Sequence, residues 1–307
     1  MALDQVDIDD YEVGEDGQLK PKNEKEMSFL DHLEELRWHI IRSLAVVILL
    51  TIVIFIAKDF VFGKIILGPA KPDFPSYVVI NQFLDAVGLA DPDDPFGPNA
   101  DPILTNKTGA ENTKGGYIIT VIQLGEAFLT HIKVSIVLGI FIAFPFIFWE
   151  FWKFIRPGLY PNEQKAVRGI VFVCSFLFFL GVTFGFFVIA PFAVTFLANY
   201  EIMGVTAQIQ LVSLVNYMVM FTAPAGMIFE LPVVVYFLSK IGLLTPEFMR
   251  TYRRHAIIVI LGLSALITPP DVVTQFLIGI PLYILYEISI GISARMAKKY
   301  EKGLETT

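Results

Sequence analysis

Between Gly169 and Phe229 the chain carries one charged residue, Glu201, which separates an uncharged run of 32 residues from one of 28. An α-helix rises about 1.5 Å per residue, so either run exceeds the roughly 18 apolar residues that mark a crossing of a ~30 Å hydrocarbon core. No soluble core needs two such runs in succession. Composition agrees: 55% of the residues are hydrophobic, 17% are charged, and mean hydropathy is +0.63. A soluble domain would carry closer to a quarter charged residues. The 28 Phe and 11 Tyr suit lipid-facing and interfacial surface. The fold class is an all-α membrane protein.

Six apolar segments follow from the pattern. The first covers about Ile40–Phe62. The second centres on Val134–Trp149, with an amphipathic lead-in from about Tyr117. The third is about Gly169–Leu197, the fourth about Ser213–Ser239, the fifth Ala256–Ile267 and the sixth about Val272–Ala294. The fifth has twelve residues, or about 18 Å of helix. Thr268-Pro269-Pro270-Asp271 then reverses the chain. Either this helix extends back through Glu247–His255, or its hairpin stops short of the far membrane face. The second alternative is the expectation.

Lys and Arg in short loops set orientation. Lys153, Arg156, Lys165 and Arg168 lie between the second and third segments, and Lys240, Arg250, Arg253 and Arg254 between the fourth and fifth. Arg295, Lys298, Lys299 and Lys302 follow the sixth, whereas Glu201–Val212 and Thr268–Asp271 contain neither Lys nor Arg. The expected topology has both termini cytoplasmic. The first external loop, 63–116, is rich in Pro, Gly, Asn and Asp, and is expected to form a cap with short surface helices near Val78–Leu89.

The organisation is then an acidic extension at 1–26, expected to be disordered, a six-helix membrane domain at 27–299, and a cytoplasmic tail at 300–307. The extension lacks the basic start and apolar core of a signal peptide. Cys174, the single cysteine, reads as a small buried hydrophobe.

Glu230 is the sharpest polar signal. It lies ten residues before Lys240, about 15 Å into the membrane. A carboxyl at that depth is by default functional. Pro224 and Pro232 on either side free backbone carbonyls and favour a kink with a groove. The structural alternative is a hydrogen bond to a neighbour such as Gln275. Glu126, Glu150 and Glu287 lie nearer helix ends and read as structural. Glu126 has His131 and Lys133 nearby, and Glu150 and Glu287 are within reach of Arg156 or Arg295.

Ahead of the first span, Ser28 and Asp31 suit a capping box, and Phe29, Leu33, Leu36 and Ile40 form an apolar stripe at helical spacing. This segment reads as an interfacial helix, with His32 and Glu35 close to the stripe. A second cytoplasmic constellation, Arg156-Pro157-Gly158-Leu159-Tyr160-Pro161-Asn162-Glu163, fixes a tight turn and opens the next helix. Carboxylates from the two places could face one another across a groove mouth.

Four motifs taken together resemble the TatC family over nearly the whole stretch from Ser28 to about Lys299. They are Phe29-Leu30-Asp31-His32-Leu33-Glu34-Glu35-Leu36-Arg37, Phe151-Trp152-Lys153-Phe154-Ile155-Arg156-Pro157-Gly158-Leu159-Tyr160, Phe229-Glu230-Leu231-Pro232, and Leu266–Gln275 with its Thr268-Pro269-Pro270-Asp271 turn. The resemblance implies six transmembrane helices forming a cupped, concave wall in the inner membrane, with short fifth and sixth helices. It implies a receptor for twin-arginine signal peptides of folded precursors, assembling with single-span TatA- and TatB-type subunits and leaving room for self-association. Glu35 and Glu163 match the glutamates thought to receive the two arginines, with His32 and Arg37 in the same motif. Glu230 matches an intramembrane glutamate on the concave face implicated in partner contact, and Gln275 and Asp271 are grouped with it. The acidic extension and the long first loop depart from the family pattern.

The rival reading is a proton-coupled small-solute transporter or channel, which would also use an intramembrane carboxylate. No internal repeat, paired broken segments or filter-like loop favours it. No Gly-x-Ser-x-Gly or His-Glu-x-x-His motif suggests an enzyme. His32, His39, His131 and His255 are not at metal-ligand spacing, so no metal, cofactor or nucleic-acid partner is expected.

Overall fold

The computed structural model describes residues 11–13, 19–21, 29–69, 74–76, 79, 82, 119–155, 167–199, 209–267 and 272–305. Among the described residues, nine α-helices of six residues or more carry the architecture: α1 Phe29–Ile56, α2 Glu126–Ile155, α3 Val167–Phe184, α4 Ala190–Asn199, α5 Leu211–Ile228, α6 Leu231–Lys240, α7 Pro246–Thr251, α8 Arg253–Ile267 and α9 Val272–Glu305. Five stretches among the described residues are long and apolar enough to cross a membrane: His32–Ile56, Glu126–Ile155, Gly169–Val194, Leu211–Lys240 and Gln275–Lys298. α8, with 15 residues, reaches about 22 Å, short of a ~30 Å core. It extends back through Arg253–His255, and a one-residue turn at Tyr252 separates it from α7, so the expected alternative of a helix reaching back through Glu247–His255 forms in part. The turn at Thr268–Asp271 lies outside the described residues.

Several expected boundaries move. The segment expected as an interfacial helix forms the first turns of α1, which is continuous from Phe29. Of its apolar stripe, Leu33 and Ile40 are exposed, while His32 and His39 meet α2. In lipid an apolar stripe gains nothing by facing protein. The lead-in from Tyr117 is not helical where described, since α2 begins at Glu126 after extended residues and a turn. α9 runs eleven residues beyond the expected Ala294 end. In the acidic extension, Tyr11–Val13 pairs antiparallel with Leu19–Pro21, so those six residues depart from the expected disorder. In the loop expected to be external, Pro75, Ser76, Val79 and Gln82 are helical, and most of 77–118 lies outside the described residues.

The spans break where backbone donors are missing. The third passes from α3 through a π-helical segment, Gly185–Ile189, into α4. Pro191 has no N–H to return to the Phe187 carbonyl in α-register, and the Ser76 hydroxyl donates to that carbonyl from the loop. Phe74 stacks on Phe187 at 5.3 Å beside it. The fourth span breaks at Phe229–Glu230, two residues before Pro232, whereas Pro224 sits inside an uninterrupted α5.

Glu126 anchors the other end of that span. Its carboxylate, 7% exposed, accepts from the backbone N–H groups of Ile122 and Gln123 at 3.1 Å and of Val212 at 3.4 Å. It therefore joins the start of α2 to the first turn of α5, where a negative charge also suits the helix dipole. A parallel bridge between Thr120 and Gln210 reinforces the junction. The expected neighbours His131 and Lys133 are used otherwise. His131 stacks on Phe55 at 4.0 Å, and Lys133 donates to Asn216 at 2.6 Å.

Small residues let spans approach closely. A Cβ on Gly181 would meet the Ala225 carbonyl oxygen at 2.6 Å, and one on Gly185 would meet Thr222 Cα at 2.8 Å, so α3 and α5 touch backbone to backbone. Gly139 does the same for α2 against Thr51 of α1. Buried Phe221, Ala225, Phe229, Ile260, Ile278 and Leu282 then join α5, α8 and α9 in one cluster. Gly181→Leu cannot be absorbed by a flexible side chain, because the obstruction is main chain. It should lower stability by about 1–3 kcal/mol or more, read as earlier thermal unfolding in detergent. Gly262→Ala, which faces open space, should leave the melting temperature unchanged.

Candidate functional site

At the N-terminal end of α1, one helical face carries His32, Glu35 and His39 at i, i+3 and i+7. His32 stacks on Phe154 of α2 at 4.3 Å, and His39 meets the same ring edge-on at 6.3 Å. Glu35 lies between the two histidines in sequence. Its Oε2 is buried and has no hydrogen-bond partner. Arg37 is exposed on another face.

The clamp on Phe154 is fixed from below by Glu150, which is 2% exposed on its side chain. His39 Nδ1 lies 2.7 Å from its Oε2 and Lys153 Nζ 2.7 Å from its Oε1, with Arg42 at 3.8 Å. Its described partners are thus His39, Lys153 and Arg42, while the expected Arg156 lies outside the described residues. Three basic groups around one carboxylate offset the cost of burying it. Glu287 likewise pairs with Arg253 at 2.9 Å and accepts from the Tyr283 hydroxyl at 3.0 Å. His255 sits near Tyr252, with ring centroids 5.3 Å apart.

Glu230 occupies the break between α5 and α6. Both its carboxylate oxygens are buried without a hydrogen-bond partner, and the fully buried Cys174 thiol and the Phe178 backbone of α3 lie beside it. The suggested partner Gln275 is engaged elsewhere: its Nε2 donates to the Leu261 carbonyl at 3.2 Å, tying α9 to α8. Glu163, the Arg156–Asn162 turn, Ser28 and Asp271 lie outside the described residues. Among the described residues no cluster of three or more His, Cys, Asp or Glu could hold a metal.

Sequence reasoning missed the His39–Glu150 pair and the role of Phe154 as the ring between two histidines. The i, i+7 spacing of His32 and His39 was a usable sign. Nothing in the sequence said which face of α2 would meet it. Glu150→Ala should cost about 3 kcal/mol by stranding His39 and the other cations, and should loosen the α1–α2 contact in spin-label distance measurements. Lys153→Ala, whose partner keeps His39, should cost under about 1 kcal/mol.

Comparison with known proteins adds to this geometry. Residues 31–281 match the family model described as Sec-independent protein translocase protein (TatC). A protein of that name from Blattabacterium sp. is 35% identical over 91% of this chain and 99% of its own length. The TatCy protein of Bacillus subtilis is 29% identical over 90% of this chain and 92% of its own. A crystal structure described as the twin arginine translocase receptor TatC superposes with a TM-score of 0.61 at 28% identity, covering 85% of this chain and 99% of that one. With its membrane helices and a match spanning most of its length, the chain belongs to the TatC family of Sec-independent protein translocase proteins.

Proposed function

We propose that this chain, a component of protein translocation and not an enzyme, is the subunit that receives twin-arginine signal peptides of folded precursors and assembles with TatA- and TatB-type single-span subunits. The proposed topology has six membrane helices, α8 being the short fifth, arranged as a cupped wall with both termini cytoplasmic. The charge asymmetry of the loops supports that orientation. The observation that carries the receptor reading is the buried, unpartnered Glu35 Oε2 on a face immobilised by the Phe154 clamp. An acceptor desolvated without a donor is costly, and an incoming guanidinium would supply one.

Arginine fits such a place better than lysine, because its planar fork matches carboxylate geometry. Glu35 and Glu163 are the proposed acceptors. Each charge-assisted bond contributes about 1.5–3 kcal/mol, so the pair gives about 3–6, against the roughly 8 kcal/mol of micromolar binding. The arginines therefore account for part of the affinity, and apolar contact of the signal peptide with the membrane helices near Glu230 supplies the remainder. Glu230, in a broken span with both oxygens unpartnered, is the proposed point of contact with partner helices.

A labelled Arg-Arg signal peptide should bind the purified protein in detergent more tightly than its Lys-Lys counterpart. Glu35→Gln and Glu163→Gln should each weaken it by about tenfold or more, the equivalent of one lost charge-assisted bond, at unchanged melting temperature. Equal binding of the two peptides, or wild-type affinity in both variants, would refute the assignment.

A further inference from the structure

Where α1 meets α2, two carboxylates are provided for very unequally. Glu150 has His39 at 2.7 Å, Lys153 at 2.7 Å and Arg42 at 3.8 Å. Glu35, one turn before His39 on the same face of α1, keeps a buried Oε2 that completes no hydrogen bond. Helix residues at i and i+4 have Cβ atoms about 5–6 Å apart, and an acid four residues ahead of a cation is the favoured order for a pair. Glu35 and His39 have that spacing, yet the His39 ring pairs with α2.

The other nearby cations are also held elsewhere. His32, three residues before Glu35, is stacked on Phe154 at 4.3 Å. Lys153 is held twice, by Glu150 and over the Trp149 ring at 5.6 Å. Arg42 shares Glu150, and Arg37 is exposed on another face. Among the described residues, Glu150 is thus the common counter-charge of His39, Arg42 and Lys153.

Stability does not call for this arrangement. Removing one member of a buried ion cluster is destabilising, but the intact cluster often stabilises a fold no better than apolar residues of the same volume. Lys153 and Arg42 are 43% and 57% exposed, and pairs screened by solvent contribute little. What the arrangement does secure is an open acceptor. With three cations drawn to one acid, the other is left free.

We propose that Glu150 is a positioning residue for recognition of the signal-peptide arginines. It holds His39, together with Lys153 and Arg42, away from Glu35, so that the Glu35 carboxylate stays free for an incoming guanidinium. This rests on the reading of Glu35 as an arginine acceptor, and it gives Glu150 no contact with the peptide.

The test measures binding of a labelled Arg-Arg signal peptide to the full chain in detergent, with the melting temperature recorded for each variant. Glu150→Gln keeps the shape of the side chain and removes its charge. It should weaken binding about tenfold, the equivalent of one charge-assisted bond, because His39 then closes on Glu35. Adding His39→Gln should bring the affinity back to within about threefold of wild type, well above the single variant. A purely structural role predicts the reverse, since losing His39 as well would loosen the grip on Phe154 further. In a Glu35→Gln background, Glu150→Gln should change the affinity no further, because its effect passes through Glu35. Wild-type binding in Glu150→Gln, no recovery on adding His39→Gln, or a further loss in the Glu35→Gln background would overturn the proposal and leave the receptor reading standing. Wild-type binding in Glu35→Gln alone would overturn both.

Discussion

The hydrocarbon core offers no hydrogen-bond partner, so every break in a membrane helix must be repaired by another part of the chain. Two places among the described residues show such a repair. Pro191 leaves the Phe187 carbonyl without its usual donor, and Ser76 supplies one from the loop after the first span. Gln210 makes no side-chain cap for α5, and the Glu126 carboxylate takes the Val212 N–H instead. At the Phe229–Glu230 break, the Glu230 carbonyl accepts from both Val233 and Val234. The Glu230 side chain takes no part in these bonds.

That surplus distinguishes two kinds of buried acid. Glu126 is spent on three backbone amides, Glu150 on three basic side chains, and Glu287 on Arg253 and Tyr283. Removing any of them loosens a junction between helices. Glu35 and Glu230 are the described acids with a buried carboxylate oxygen that completes no hydrogen bond. A fold stabilised by satisfied polar groups gains nothing from these two, which is the physical reason to connect them with a ligand or partner.

How much of this could be read from the sequence depends on the range of the cause. The uncharged runs, the short α8 and the interruption near Pro232 are local consequences of composition and proline chemistry, and the chain displays them directly. The carboxylates worth watching, Glu35 and Glu230, were also visible, because an acid in an apolar context is conspicuous by itself. Partnerships were not. Apolar periodicity marked Leu33 and Ile40 as part of a stripe but could not tell whether lipid or protein covers it, and His32 and His39 make the contact with α2. Glu287 and Gln275 found partners other than those suggested, because helix rotation in a bilayer is set by close backbone approach at residues such as Gly139 and Gly181.

Close approach also accounts for where space remains. α3 touches α5 backbone to backbone at Gly181 and Gly185, but toward its N-terminal end it presents Ile170, Val173 and Leu177 across a gap from α6 and α9. Above the Phe229–Glu230 break the fourth span packs tightly against the third; below it, past Pro232, the two separate around the cavity. The break therefore does two jobs through one feature. It places the Glu230 carboxyl beside Cys174, and beyond it α6 lines an apolar cavity with α3 and α9. A sequence with an unbroken fourth span could keep the contact at Gly181 or open the slot beside Tyr236, but a straight helix could not readily do both.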